Sequence, residues 1–302
     1  MYVGLYNLEP FVVNSAMMRV SSHHKHLGDK VEIYNPLIKE QYDLIYLFSI
    51  FDFTPKPKIY SNMICGGSGF NLTTTLPTTI ENAEYDWTLY PDCTYSILWF
   101  STGCIRKCSF CIVPFKEGKI KTVQPKNLNP KGSYIKIMDN NFFANPSWKD
   151  ARKYLLSLHQ PVDFQGIDIR LPFSEQQIQL LKSLKHKKQI KIAWDNPEEN
   201  IIPNLITLIK KIPAYKFLCY VLIGYNSSQE QDLERVLKLK GLGVDPYVMP
   251  FNKTNLYQNN FTRWVNHKAI FKSIPWEDYK PRRKFKTQSL TLLEKGKTNE
   301  KI

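Results

Sequence analysis

Between Thr94 and Met249 the chain repeats one pattern six times, a short apolar run of strand length followed in most cases by an amphipathic helical stretch. The strand candidates are Tyr95–Phe100, Tyr134–Met138, Asp163–Leu171, Ile190–Trp194, Phe217–Ile223 and Val244–Met249. Helical stretches fall near Ser147–Leu158, Ser174–His186, Glu198–Ile212 and Gln229–Lys240. Strands separated by helices must be parallel, because the helix is the crossover that returns the chain to the same edge. Six such units predict an open, partial (β/α)6 barrel, since a closed eight-unit barrel takes ~250 residues.

The residues before this repeat predict a separate small α/β domain of Rossmann-like type. Met1–Tyr6, Val31–Tyr34, Asp43–Phe51 and Met63–Cys65 read as strands, and Ser15–Leu27 as a helix stopped by Gly28. Only Asp52 to Asn62 separate the last two strands, and Pro55 and Pro57 lie among them, so no crossover helix fits there and the domain is expected to be irregular at that point. The division follows as 1–92 for the small domain, 93–252 for the barrel and 253–279 for a helical extension in which Phe261–Phe271 is amphipathic. From Lys280 to Ile302 runs a basic tail, with eight Lys/Arg against two Glu, expected to be mobile.

Three of the six cysteines, Cys104, Cys108 and Cys111, lie within eight residues, directly after the first barrel strand. Crowded thiols of this kind are metal ligands more often than a disulfide framework. With no apolar run long enough for a membrane helix and no signal-peptide pattern at Met1–Leu8, a cytoplasmic protein is expected. A structural zinc site closes its shell with four ligands, and no fourth Cys or His lies in this loop. Three thiolates on a four-iron, four-sulfur cluster would leave one iron open to chelate a small molecule. Cys65, Cys93 and Cys219 read as buried apolar residues.

The run Ser101-Thr-Gly-Cys-Ile-Arg-Lys-Cys-Ser-Phe-Cys111 resembles the signature of the radical S-adenosylmethionine (radical SAM) superfamily, including the aromatic Phe110 before the last cysteine. The resemblance implies a 4Fe-4S cluster on Cys104, Cys108 and Cys111 that binds S-adenosylmethionine. One electron from an external flavodoxin- or ferredoxin-like donor would then cleave it to a 5'-deoxyadenosyl radical. The small domain resembles, more weakly, the cobalamin-binding domain that precedes many such barrels. The missing crossover and the absence of an Asp-x-His-x-x-Gly motif favour a degenerate domain without cobalamin, and two cysteines there, Cys65 and Cys93, are too few for a second cluster.

By position, the same resemblance points to further cofactor contacts. Asp139 and Asn140, after the second strand, would meet the methionine amino group, although a turn rich in Asp and Asn explains them as well. Asp195 would bond a ribose hydroxyl or cap a helix before Pro197. Gly224 would permit close backbone approach, and Met249 and Phe251 would flank the adenine or belong to the barrel core. Asp168 and Arg170, read as one face of the third strand by the period of two, must be paired or line a polar cavity, and they are the catalytic candidates.

The net charge of +14 is open to two readings, a nucleic-acid footprint or nucleotide bias in a lysine- and asparagine-rich chain. Arg263, Trp264, His267 and Lys268 offer charge and an aromatic surface to a large polar substrate, or pack as a cap through Phe261, Trp264 and Phe271. The expectation is a radical enzyme, an oxidoreductase or transferase, modifying an unactivated carbon on a nucleic acid, RNA or DNA, or on another large polar substrate, with no membrane partner. The alternative is a non-catalytic iron–sulfur electron carrier or assembly protein.

Overall fold

Asn14 starts the first helix by accepting hydrogen bonds from Ala16 N (3.0 Å) and Met17 N (3.1 Å), which satisfies amide groups that a helix start leaves unpaired. The computed structural model describes residues 1–281, so the tail expected from Lys280 onward lies almost wholly outside the described residues. In the small domain, β1 (Tyr2–Asn7), α1 (Ser15–His26), β2 (Lys30–Ile33), β3 (Leu44–Phe48) and β4 (Met63–Gly66) follow in turn. The four strands form one parallel sheet in the order β2-β1-β3-β4. The link from β3 to β4 crosses without a helix, as the prolines require.

The short α2 (Thr78–Glu81) leads to β5 (Ser96–Leu98), β6 (Ser101–Thr102), α3 (Val113–Lys116) and β7 (Lys121–Thr122). Then come β8 (Ile135–Ile137), α4 (Trp148–Ser157), β9 (Val162–Phe164), α5 (Glu175–Ser183), β10 (Ile190–Ala193), α6 (Ile202–Ile209), β11 (Phe217–Ile223), α7 (Gln229–Gly241) and β12 (Asp245–Pro250). Helices α8 (Leu256–Asn266) and α9 (Lys268–Ser273) end the described chain. The protein is thus a mixed α/β structure built on parallel sheets.

The six expected strands are present in chain order, but not as one unbroken ladder. They form two parallel three-stranded sheets, β5-β8-β9 and β10-β11-β12. The seam between them is a single bridge in which Val162 N donates to Lys185 O and Lys187 N to Val162 O, both at 2.8 Å. Below it Lys191 pairs with the buried Asp163. One apolar cluster, including Leu98, Ile137, Phe164, Ile192, Val221 and Val248, runs behind both sheets and unites them. A second core joins α1 to this unit, with Met18 packed among Tyr85, Trp87 and Ile97.

Strand β9 stops at Phe164, well short of the expected Leu171. A Cβ at Gly166 would fall 2.3 Å from Asn140 O and 2.5 Å from Asp139 O, so the chain presses on the end of β8 there and then turns away. The helix expected at Phe261–Phe271 is two helices, broken at His267 (φ −90°, ψ 89°), whose Nδ1 caps the second through Ile270 N (3.4 Å). Phe261, Trp264 and Phe271 are all buried, so this aromatic face is core and Trp264 is not a substrate surface. Among the described residues no helix is long and apolar enough to cross a membrane.

Candidate active site

The loop between β5 and β8 carries the three clustered cysteines, and its base is pinched shut. Strands β6 and β7 pair antiparallel, Cys104 N donates to Gly118 O (3.2 Å), and Glu117 Oε2 accepts from Gly103 N and Asn140 Nδ2, each at 2.8 Å. Glu117 was not legible as part of the site, because its partners are Gly103, at the opposite end of the loop, and Asn140, in the turn after β8. Within the loop Arg106 N approaches Cys104 Sγ (3.4 Å) and Cys111 N donates to Cys108 O (3.0 Å). Burial pushes the Cys111 thiol up, and the neighbouring Cys108 and Cys104 add to it. Among the described residues, no three His, Cys, Asp or Glu side chains converge closely enough to hold a single metal ion.

All three thiols line one cavity of about 210 Å³ at the carboxyl ends of β8 to β11. Asp168 and Arg170 enter it together, but not as neighbours on a strand. Both lie in the turn after β9. The pairing that the sequence required is present: Arg170 Nε donates to Asp168 Oδ1 (2.7 Å) and Nη2 to Oδ2 (3.2 Å). Arg106 Nε, from the cysteine loop, donates to the same Oδ2 at 2.8 Å, and Asn141 Nδ2 at 3.3 Å. Burial pushes the Asp168 carboxyl up, but the hydrogen bonds from Arg170 and Arg106 outweigh it and hold the pKa below the ordinary carboxylate range. Arg170 Nη1 also reaches Cys108 Sγ (3.6 Å) and Glu199 Oε1 (3.4 Å).

Of the two polar candidates after β8, the structure separates one from the cavity. Asp139 is 1% exposed, and its carboxylate accepts from Phe100 N (2.8 Å) and Ser101 Oγ (2.5 Å). It ties β8 to the root of the cysteine loop, and burial pushes its pKa up to about 6 against those hydrogen bonds. Of the expected pair, only Asn140 lines the cavity, and Asn141 lines it too. The signal for Asn141 was present in the run Asp139-Asn140-Asn141, but a turn does not declare which side chain points inward.

Asp195 follows β10 and lines the cavity, and its Oδ1 is buried with no hydrogen-bond partner. Burial raises its pKa. Its position is set from behind by Arg235 of α7, buried and paired with Asp232 (2.7 Å), whose Nη1 donates to Trp194 O (2.7 Å) and Nη2 to Leu222 O (2.9 Å). One guanidinium thereby fixes the ends of β10 and β11. A buried carboxylate oxygen without a donor costs stability unless a ligand supplies one.

The remaining candidates stand at the rim or outside it. Gly224 has φ +71°, and a Cβ there would fall 1.9 Å from Gln258 Nε2, so the space that the glycine leaves is taken by the chain's own Gln258. Met249, half-buried on β12, is not part of the cavity lining. Phe110 lines it and meets Tyr225 edge-on (centroids 5.4 Å), and Tyr225 in turn packs on Phe251 (4.8 Å), which is exposed. The Tyr225 hydroxyl also donates to Ser109 Oγ (2.6 Å), a link to the cysteine loop from 116 residues away that the sequence did not disclose. Cys219 is fully buried, as expected; Cys65, on the edge strand β4, and Cys93, in the loop before β5, are only half-buried.

In the small domain, the crevice at the carboxyl ends of β1 and β3, where the strand order changes direction, is the usual ligand position of such a sheet. Here Glu9 fills it. Its carboxylate accepts from Ser49 Oγ (3.0 Å), Ile50 N (3.0 Å), Phe51 N (3.3 Å) and Thr54 Oγ1 (2.6 Å). No family model matches the chain, and no curated protein matches it.

Proposed function

We propose that this protein is a radical S-adenosylmethionine enzyme whose six parallel strands form an open, partial (β/α)6 barrel, with its site at the strand ends. The observation that carries the reading is the meeting, in one cavity, of Cys104, Cys108 and Cys111 with the unpartnered Oδ1 of Asp195. Three thiols without a fourth protein ligand in their loop suit a cluster with one open iron, and an unpaired buried acceptor suits a hydroxyl-bearing ligand beside it. The residues present fit both groups. Cys104, Cys108 and Cys111 would hold the 4Fe-4S cluster, and Asn140, Asn141, Asp195 and Phe110 would hold S-adenosylmethionine. Bound there, the pair supplies a 5'-deoxyadenosyl radical able to take hydrogen from an unactivated carbon, with an external flavodoxin- or ferredoxin-like donor as the electron source.

The chain's own contribution is to bind, orient and exclude water. Glu117 and Asp139 fix the root of the cysteine loop, while the Asp168–Arg106 pair holds its middle against the turn after β9. Arg170, charged and partly buried, places a fixed donor beside Cys108, where it would stabilise negative charge on the thiolate. Cobalamin has no part in this reading, because Glu9 occupies the crevice that it would need.

Anaerobic reconstitution with iron and sulfide tests the proposal. The expected result is about four irons per chain, visible absorbance, and release of 5'-deoxyadenosine when the cluster is reduced with dithionite in the presence of S-adenosylmethionine; Cys108→Ala removes all three. A Cys108→Ala protein with full iron and normal cleavage would end the reading. A cluster that never cleaves S-adenosylmethionine would leave an electron carrier instead.

A further inference from the structure

The aromatic side chains beside the cavity continue beyond it. Phe110 meets Tyr225, and Tyr225 packs on Phe251. Two residues further on, the Lys253 ammonium stands 5.0 Å from the centroid of Phe53, which belongs to the small domain. Phe53 stacks on Phe51 with centroids 5.1 Å apart and planes 12° from parallel. Lys56 donates to Phe51 O (3.0 Å) and to Thr54 O (2.6 Å), and its ammonium lies 5.3 Å from the Phe70 ring. Lys253, two residues after Phe251, thus links the rings beside the cysteine loop to those at the carboxyl ends of the small domain's strands.

These rings are not core. Phe53 is 68% exposed and Phe251 54%. Large rings left in water beside one another mark a surface kept for a partner, and the charge on this one defines the partner. Lys107, Lys116 and Lys119 are exposed on the cysteine loop, Lys253 stands beside Phe53, and the whole chain carries +14. The one carboxylate within the outer aromatic pair, Asp52, accepts from Phe53 N (2.8 Å).

We propose that this surface is a platform for single-stranded nucleic acid, with bases stacking on Phe51, Phe53 and Phe251 and phosphates meeting Lys253 and the lysines of the cysteine loop. Flat rings interleaved with cations are what an unpaired strand requires, since every base offers a π-face and every link a phosphate. A duplex hides those faces, and a carbon inside the stack would not reach a cavity at the strand ends. An acidic peptide would use the cations but leave the flat rings without partners. The proposal names the substrate class of the site described above and rests on that reading.

Anisotropy of fluorescein-labelled oligo(dT) and oligo(U) of about 15 nucleotides, with a duplex of equal length for comparison, is measured on the full chain from low to physiological salt. Single strands are expected to bind more tightly than duplex, with affinity falling steeply as salt rises. Replacing Phe51 and Phe53 together by Ala should weaken binding about ten- to a hundredfold without changing the salt slope, whereas Lys253→Ala should flatten the slope by about 0.7. These side chains are exposed, so unchanged thermal melting certifies that the variants fold. Unaltered affinity in the double Phe variant, preference for duplex, or no binding at low salt would each overturn the platform. Binding is measured with and without reconstituted cluster, and 5'-deoxyadenosine release is assayed without oligonucleotide. A failed platform is thereby distinguished from a failed cofactor assignment.

Discussion

The guanidinium of Arg170 grips both carboxylate oxygens of Asp168, at 2.7 and 3.2 Å, from only two positions along the chain. The geometry is that of a tight turn and not of a strand: Arg170 N also donates to Asp168 Oδ1, at 3.0 Å. With Arg106 on the same carboxylate, the turn after β9 and the cysteine loop share one anion, and Arg170 still has Nη1 near Cys108 and Glu199.

Arg170→Lys keeps the charge but loses the planar fork, while Asp168 retains Arg106. Reductive cleavage of S-adenosylmethionine should fall about tenfold or more, the value of one or two hydrogen bonds to a charged group. The melting temperature should move by only a few degrees. Both are read on the same preparation, by 5'-deoxyadenosine release and thermal denaturation; a parallel collapse of stability and activity would make Arg170 a structural residue.

Asp195→Asn should separate binding from stability in the opposite direction. Burial disfavours the charged form of Asp195, and Asn keeps the shape while removing the charge, so the fold should stay as stable as before or gain about 1–3 kcal/mol. The affinity of the reconstituted protein for S-adenosylmethionine should fall. Chemical denaturation and equilibrium binding check the two effects, and a variant that is destabilised with unchanged affinity would refute the ligand role.

Glu9 makes a pH-dependent contribution to the small domain. Burial alone would raise its pKa, but the hydrogen bonds from Thr54, Ile50, Ser49 and Phe51 outweigh burial and lower it. A carboxyl whose pKa falls on folding contributes stability that is present above its unfolded value of about 4.3. That stability is lost as the pH falls through the folded value. Glu9→Gln should therefore cost about 1–3 kcal/mol at pH 7, and its deficit against the wild type should shrink in acid. Denaturant unfolding at pH 7 and near pH 3.5 measures both, and a deficit that grows in acid would contradict the assignment.

Gly224→Ala should destabilise the end of β11 by about 1–3 kcal/mol, for two separable reasons. The positive φ strains any side chain, and the new methyl meets Gln258. Adding Gln258→Ala should recover the steric part only, since the backbone angle is unchanged. A double-mutant cycle reads the coupling; full additivity would show that Gln258 yields freely and that backbone strain is the whole effect.

What was legible in advance was local. The alternation of apolar runs with amphipathic stretches determined the parallel strands and their order, because side-chain periodicity is a property of neighbouring residues. The spacing of Cys104, Cys108 and Cys111, directly after a strand, likewise placed the three thiols together on a strand-end loop. The facing of individual side chains was not legible. Asp139 and Asn140 are adjacent and alike in sequence, yet one is locked onto Phe100 and Ser101 and the other lines the cavity. Asp168 and Arg170 meet in a turn because Gly166 abuts the carbonyls of Asp139 and Asn140, a contact made only when β8 and β9 lie side by side. Glu9, Glu117 and Tyr225 acquire their partners from distant segments. Local pattern decides which segments become strands and helices. Packing between segments decides which polar groups find partners and which, like Asp195 Oδ1, are buried without one, because a hydrogen bond lost to water on burial can be replaced only by what the fold brings alongside.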